Sequence, residues 1–297
     1  NVEFIFVNDA TPDKSMQVLD EVLERFPDRK DSVRILTHEK NKGLPAARNT
    51  GLSIASGEYI FHCDSDDFVE PTMLEDMYAK AEECDADIVW SDWFLSYAKK
   101  ERYMKQPEYS TQIGALKAML SGAMKYNVWN KLVKHTLYVE NKISFPNGFG
   151  MGEDMTMIML FSCANQIAYL PKAYYHYVKL NADAFSQIYS DKHLEELKHN
   201  VQQITDYIQA KYGYEFEREL AFFKLEAKFP FLISDGRNGK YDLWKSWYPE
   251  ANKYIMVNKH VSIRNRIIQW CAWKKQWWLI KMYNILAYKL LYQLLFR

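Results

Sequence analysis

The feature that most constrains this 297-residue chain is an alternation in its first ninety residues. Apolar runs of strand length alternate with stretches whose apolar residues recur at helical spacing. Residues 2–7 (VEFIFV) form the first run, closed by Asn8 and Asp9. Met16, Leu19, Val22, Leu23 and Phe26 then share a helical face, and Pro27 stops it. Residues 33–37 predict a second strand, 45–55 a helix ended by Ser56 and Gly57, and 58–63 (EYIFHC) a third strand. Pro71 suits the first turn of a helix reaching about Glu83, and residues 86–91 (ADIVWS) predict a fourth strand. This β-α-β-α-β-α-β order predicts an α/β fold, a mostly parallel sheet with helices on both faces. Such sheets collect ligands beyond the carboxyl ends of their strands. Polar clusters fall there: Asn8 and Asp9 after the first strand, Asp64-Ser65-Asp66-Asp67 after the third.

Further on, residues 113–120 predict a helix, and Gly148, Gly150 and Gly152 lead to Glu153 and Asp154 at the start of another over 155–163. Strands are expected at 167–170 and 173–178. From Asp191 the period turns helical, over 193–211 and 215–229. The expected organisation is a catalytic domain over 1–190, a helical region over 191–261 and a basic amphipathic tail over 262–297.

Composition matters through its distribution. Lys+Arg and Asp+Glu are both 38, which argues against a generally basic nucleic-acid binder. The last acidic residue is Glu250, and nine Lys or Arg follow it, so the final 47 residues carry +9 and the first 250 carry −9. The tail is rich in Trp, Tyr, Leu and Ile but has no run of about 20 apolar residues, the length needed to span a bilayer. It is expected to lie as a basic amphipathic helix on an anionic membrane surface. Cys63, Cys84, Cys163 and Cys271 are too scattered for a metal or redox motif and suit a reducing compartment. With no signal peptide visible, the expected location is cytoplasmic, peripheral on the cytoplasmic face of the membrane.

Three segments carry chemistry. Asp64, Asp66 and Asp67 stand at a strand end, where hard cations such as Mg²⁺ or Mn²⁺ bridge carboxylates to substrate phosphates. Arg48, in NKGLPAARNTGL, projects from the first turns of a helix, and its planar fork suits a phosphate. Asp9, in VNDATPDKS, is placed to accept a hydrogen bond from a nucleobase or ribose.

Together VNDATPDKS, NKGLPAARNTGL and EYIFHCDSDDFVEP resemble, in order and spacing, the motifs of glycosyltransferase family 2. Trp129-Asn130-Lys131-Leu132 and Gly152-Glu153-Asp154 resemble motifs of its bacterial polysaccharide-synthesising branch. The resemblance covers roughly residues 1–180. It implies a glycosyltransferase-A fold, a nucleotide-sugar donor, Mn²⁺ or Mg²⁺ and inversion at the anomeric carbon. It makes Asp154 the catalytic base, with Glu153 beside it contacting a sugar. Asn8, Asp9, Arg48, Asp64 and Ser65 fall on the donor side, Asp9 at the base. Asp66 becomes the metal ligand, with Asp64 near ribose and metal and His176 as a third ligand. Trp129 and Asn130 would meet the acceptor, a saccharide or lipid-linked saccharide. Family members begin with a strand and helix ahead of the first motif, so a preceding segment is expected.

The chemistry has its own logic. A sugar diphosphate departs when its developing charge is compensated, and an acceptor hydroxyl needs a general base. A helix N-terminus at Asp154 favours the anion that a base must be. Two other readings are a nucleotidyltransferase, which also uses a nucleotide-binding α/β sheet and carboxylates, and a non-catalytic membrane-surface scaffold with a degenerate transferase fold, against which intact Asp66 and Asp154 argue.

Overall fold

The computed structural model describes residues 1–179, 190–233 and 240–295, with side chains as far as 287. In chain order the first elements are β1 (Phe4–Asn8), α1 (Ser15–Glu24), β2 (Val33–Thr37), α2 (Leu44–Ile54), β3 (Tyr59–Phe61), β4 (Phe68–Val69) and α3 (Met73–Cys84). Then come β5 (Ile88–Tyr97), β6 (Lys100–Met104), α4 (Gln112–Leu120), β7 (Lys131–Lys134), α5 (His135–Glu140), α6 (Thr156–Cys163) and β8 (Ile167–Val178). Helices α7 (Asp191–Tyr212), α8 (Glu217–Lys228), α9 (Tyr241–Ser246), α10 (Ile263–Trp273) and α11 (Trp277–Leu295) complete the chain. They form two compact units. The first is Asn1–Gln112 with Tyr126–Ile204, and the second is Ile113–Lys125 with Thr205–Arg297. The division falls inside α7 rather than at 190, and the expected tail belongs to the second unit.

The α/β class holds, but the first unit is mixed rather than mostly parallel. β1 and β2 pair in parallel as a two-stranded sheet. The larger sheet runs β3-β7-β5-β8-β4, with β6 also on β5. Only β5 and β8 are parallel in it; β3–β7, β5–β7, β5–β6 and β4–β8 are antiparallel. Parallel neighbours need a crossover of a dozen or more residues. β1 and β2 have one through α1, whereas Ala98 and Lys99 alone join β5 to β6, so that strand must fold back. Among the described residues, no strand pairs with β1 on the edge away from β2, or with β3 on the edge away from β7.

β5 is the buried spine. Met73, Met77 and Ala81, one line along α3, pack on Ala86, Val89, Leu132, Ala168 and Tyr174. Burying such a methionine contributes roughly 1.5–3 kcal/mol. This packing holds β3 firm, so its carboxyl end can present polar residues. Where two strands were expected, β8 is continuous across an exposed irregularity at Pro171 and Lys172. Between Ser91 opposite Leu170 and Trp93 opposite Tyr175, β5 has one residue and β8 has four. Proline is tolerated there because a bulge needs no ladder donor.

In the second unit, α4 buries Ala115, Leu116, Ala118, Met119 and Leu120. Asn258 Nδ2 donates to the Ser121 carbonyl at 2.9 Å, and Lys125 pairs with Glu226 at 3.3 Å. The expected single tail helix is two helices. Lys275 adopts φ +59°, and the Gln276 N–H donates to Cys271 O at 2.8 Å, closing α10. Lys289 and Arg297 of the tail lie outside the described side chains. No described helix is long and apolar enough to cross a membrane.

Candidate active site

The first cluster is built at the end of β1. Asn8 Oδ1 accepts from the Thr11 N–H at 2.9 Å, closing the turn that follows the strand. Asp9 Oδ1 accepts from His38 Nδ1 at 2.6 Å and from the Lys42 N–H at 2.8 Å; Oδ2 accepts from the Gly43 N–H at 2.8 Å. Burial opposes the charge on Asp9, but these hydrogen bonds outweigh it and hold its carboxyl below the usual range. Gly43 sits at φ +87°, a conformation open to glycine, and α2 starts at the next residue with Pro45 in its first turn. Both oxygens of Asp9 thus hold the loop that launches α2, whereas a contact with the nucleobase was expected of it.

Arg48, one turn into α2, is 8% exposed. Its Nη1 donates to Asp154 Oδ1 at 2.9 Å and Glu153 Oε1 at 3.2 Å, and its Nη2 to Asp64 Oδ1 at 3.1 Å. Its Cζ lies 5.3 Å from the Phe145 ring centroid. The fork expected to meet a phosphate therefore joins three carboxylates from two distant segments. Asp64 arrives at the end of β3. Glu153 and Asp154 arrive on a 3-10 turn, Glu153–Met155, that leads into α6. Gly152 makes that turn possible at φ +87°, where an added Cβ would stand 3.1 Å from Met155 Cε and 3.4 Å from Leu197 Cδ1.

One guanidinium cannot balance this cluster. Burial pushes the Asp64 carboxyl up despite Arg48, with Asp154 and Asp66 adding repulsion. Burial and then the Asp154 charge push Glu153 up to about 8, against the pull of Arg48. Asp67 is also pushed up by burial, although its Oδ1 accepts from the Val178 N–H and its Oδ2 from the Tyr175 hydroxyl, both at 2.7 Å. The same Tyr175 oxygen accepts from the Asp64 N–H at 3.1 Å, so β8 stitches the acidic loop in place. Asp66 and Ser65 are exposed, and the Asp66 carboxylate makes no hydrogen bond or ion pair.

The structure does not bring every expected residue to this cluster. His176 Nδ1 is 2.8 Å from Glu101 Oε1 and its Nε2 3.0 Å from Glu70 Oε1, with Phe68 and Phe94 stacked on its ring. Strand side chains alternate faces, so His176 points away from the side that Tyr175 shares with Asp64 and Asp67. This packing does not fit a third metal ligand. Trp129 is 6% exposed, stacked on Tyr175 and Tyr177 with Trp93 edge-on. Asn130 is buried, donating from Nδ2 to Ser91 O at 2.8 Å and accepting from Lys131 Nζ at 2.8 Å. Neither fits an acceptor contact, because both are packed into the interior.

Other residues at the site were not singled out from sequence. Tyr175 is one, and only its phase relative to His176 could have flagged it. Lys131 is buried, with Nζ also donating to Asn127 O at 2.6 Å. Burial pushes it down to about 7, opposed by the Asp154 charge. Burial and then Arg48 push His62 down to about 3, so a neutral imidazole flanks the cluster. A shallow depression of about 310 Å³, lined by residues including Asn49, Tyr138 and Asn147, is bordered by none of the carboxylates. Among the described residues, no three His, Cys, Asp or Glu side chains form a ready-made metal site.

Comparison with known proteins places this geometry. The chain is 30% identical over 190 residues to glycosyltransferase GlyG of Streptococcus pneumoniae, a match covering 60% of this chain and 61% of that protein. It is 31% identical over 188 residues to the cholesterol galactosyltransferase of Borreliella burgdorferi, covering 58% and 51%. The chain thus spans about half to three fifths of the length of these curated relatives. Its fold is similar to that of S. aureus TarS 1-349 in complex with UDP-GlcNAc, with a TM-score of 0.62, 22% identity, and coverage of 97% of this chain and 82% of that one. The profile of glycosyl transferase family 2 matches residues 1–154, the stretch that carries Asp9, Arg48, Asp64, Glu153 and Asp154 and more than half of the sequence: the chain belongs to that family.

Proposed function

We propose that this protein is an inverting glycosyltransferase that moves a sugar from a nucleoside-diphosphate donor to a saccharide or lipid-linked saccharide in surface polysaccharide synthesis. The observation that carries the reading is the joining of Asp64 and Asp154 through Arg48, next to an unengaged Asp66. Family membership, relatives named as glycosyltransferases and a fold like that of a protein solved with UDP-GlcNAc support it.

The donor set fits Mg²⁺ or Mn²⁺. These ions are commonly held by one or two carboxylates plus substrate phosphates, which matches a site with surplus negative charge and no complete protein cage. Asp66 and Asp64 would hold the ion. When bound, it supplies positive charge to offset that of a departing nucleoside diphosphate.

Asp154 is the base. Arg48 fixes its Oδ1, which leaves Oδ2 for the acceptor hydroxyl. The hydroxyl proton passes to Asp154 as its oxygen bonds to the anomeric carbon, and the electron pair of the old bond leaves on the diphosphate. One displacement of this kind inverts the centre. Glu153, held by Arg48 Nη1 at 3.2 Å beside Asp154, contacts a sugar. The protein is placed on the cytoplasmic face of the membrane, bound at an anionic lipid surface through its basic C-terminal part.

The test is a pair of variants. Asp154→Asn keeps shape but cannot take the proton, so donor binding survives and transfer falls by roughly 10²–10⁴. Asp66→Ala loses cation-dependent donor binding while the fold remains. Unchanged turnover in Asp66→Ala overturns the metal site, and collapse of donor affinity in Asp154→Asn moves that residue out of the base role.

A further inference from the structure

An ordinary surface helix buries an apolar line and gives water a polar one. Helices α10 and α11 partly invert this. Inside the second unit, α10 buries Gln269 along with Ile268, Cys271 and Ala272; α11 buries Asn284, whose Nδ2 donates to Leu232 O at 2.8 Å, along with Ile280. Outward, α10 shows Ile263, Ile267, Trp270 and Trp273, and α11 shows Trp278, Met282, Ile285 and Leu286. Steps of four and three residues make the α10 set a helical line, and Ile285 and Leu286 lie three and four residues beyond Met282, itself four beyond Trp278. Trp278 is 62% exposed.

Cations accompany these lines. Arg264, Lys274, Lys275 and Lys281 are exposed and in no ion pair, and no acidic residue follows Glu250. Lys274 Nζ lies 4.5 Å over the Trp273 ring. A water-facing combination of indoles, aliphatic side chains and unopposed cations is the composition of a surface that lies in a lipid interface. A second copy is a poor occupant, because two such faces would bring like charges together. Neither helix is long and apolar enough to span.

We propose that the outward lines of α10 and α11 dock the protein in the plane of an anionic bilayer, the exposed tryptophans entering the headgroup boundary. This rests on the membrane partner of the function proposed above and names the surface that meets it.

The experiment uses the full chain and vesicles of phosphatidylcholine with or without phosphatidylglycerol. Binding to the anionic vesicles, weakening as salt rises, is expected, with quenching of tryptophan fluorescence by brominated acyl chains. Lys274→Gln with Lys281→Gln should weaken binding about thirtyfold. Trp270→Ser with Trp278→Ser should weaken it roughly tenfold or more. If the tryptophan variant misfolds, the lysine variant and quenching of the unaltered chain decide. Equal binding to neutral vesicles, no quenching, binding by the lysine variant undiminished, or dimerisation that shields the tryptophans overturns the proposal. Sugar transfer to a soluble acceptor is measured on the same proteins and should be unchanged in both variants. Its absence from the unaltered chain, with vesicle binding intact, removes the transferase reading and leaves the docking surface standing.

Discussion

Arg48 shows how much of a site can be read from neighbours in sequence and how much cannot. Asp64 and the pair Glu153 and Asp154 were legible through the strings that resemble the family motifs, since an acid at a helix start is by itself ordinary. The cation between them was not: its partners lie 16, 105 and 106 residues away. Expecting Arg48 to meet a phosphate treated it as a lone donor, whereas the folded chain already surrounds it with carboxylates. The charge surplus has a measurable sign. Glu153 has an ordinary value of 4.5 and is pushed up to about 8, so between those limits the folded chain binds more protons than the unfolded one. Its contribution to stability therefore falls as pH rises through that window. Glu153→Gln is neutral throughout and lacks this dependence. Urea unfolding at about pH 5 and about pH 8 should show a smaller loss of stability in the variant. Equal losses would mean that Glu153 is not the source.

At the level of elements, the strands missed from sequence are those whose residues do not look like strands. β4 has two residues, β6 (KERYM) is a charged, exposed edge, and β7 (KLVK) carries the buried Lys131. In each case pairing with β5 or β8 overrides a weak local signal. The irregularity in β8 decides more than its own shape. Four residues against one is an odd excess, and an odd excess reverses which side chains face which side of the sheet. That phase sends Tyr175 to the acidic loop and His176 to Glu70 and Glu101. The turn at Gly152 has a comparable role on a smaller scale. Gly152→Ala forces a side chain into φ +87° and against Met155, at a cost of about 1–2 kcal/mol. Because Glu153 and Asp154 follow directly, transfer should fall by more than the stability loss explains. Denaturation and turnover measured on one preparation separate the two, and a stability loss with full turnover would show that the turn tolerates the shift.

For the whole molecule, the least legible fact was membership. Periodicity identified α4 as a helix, but nothing local said that it belongs with residues 205–297. Lys117 pairs with Glu215 at 3.7 Å, Lys125 with Glu226, and Asn258 with Ser121 O. Cutting the chain after Ile204 therefore does not release a self-sufficient catalytic part. It strips the partners from five buried α4 residues. Such a chain should be insoluble, or should bind apolar dyes that the full chain does not, in sedimentation and dye-fluorescence measurements. A soluble, dye-silent truncate would show that α4 finds other cover. The same arrangement bears on synthesis. On the ribosome α4 emerges before all of these partners, and at about 5–20 residues per second the Ser121 carbonyl waits roughly 7 to 27 seconds for Asn258. During that interval the nascent chain is a substrate for chaperones, and codons that slow translation between α4 and residue 258 would lengthen its exposure.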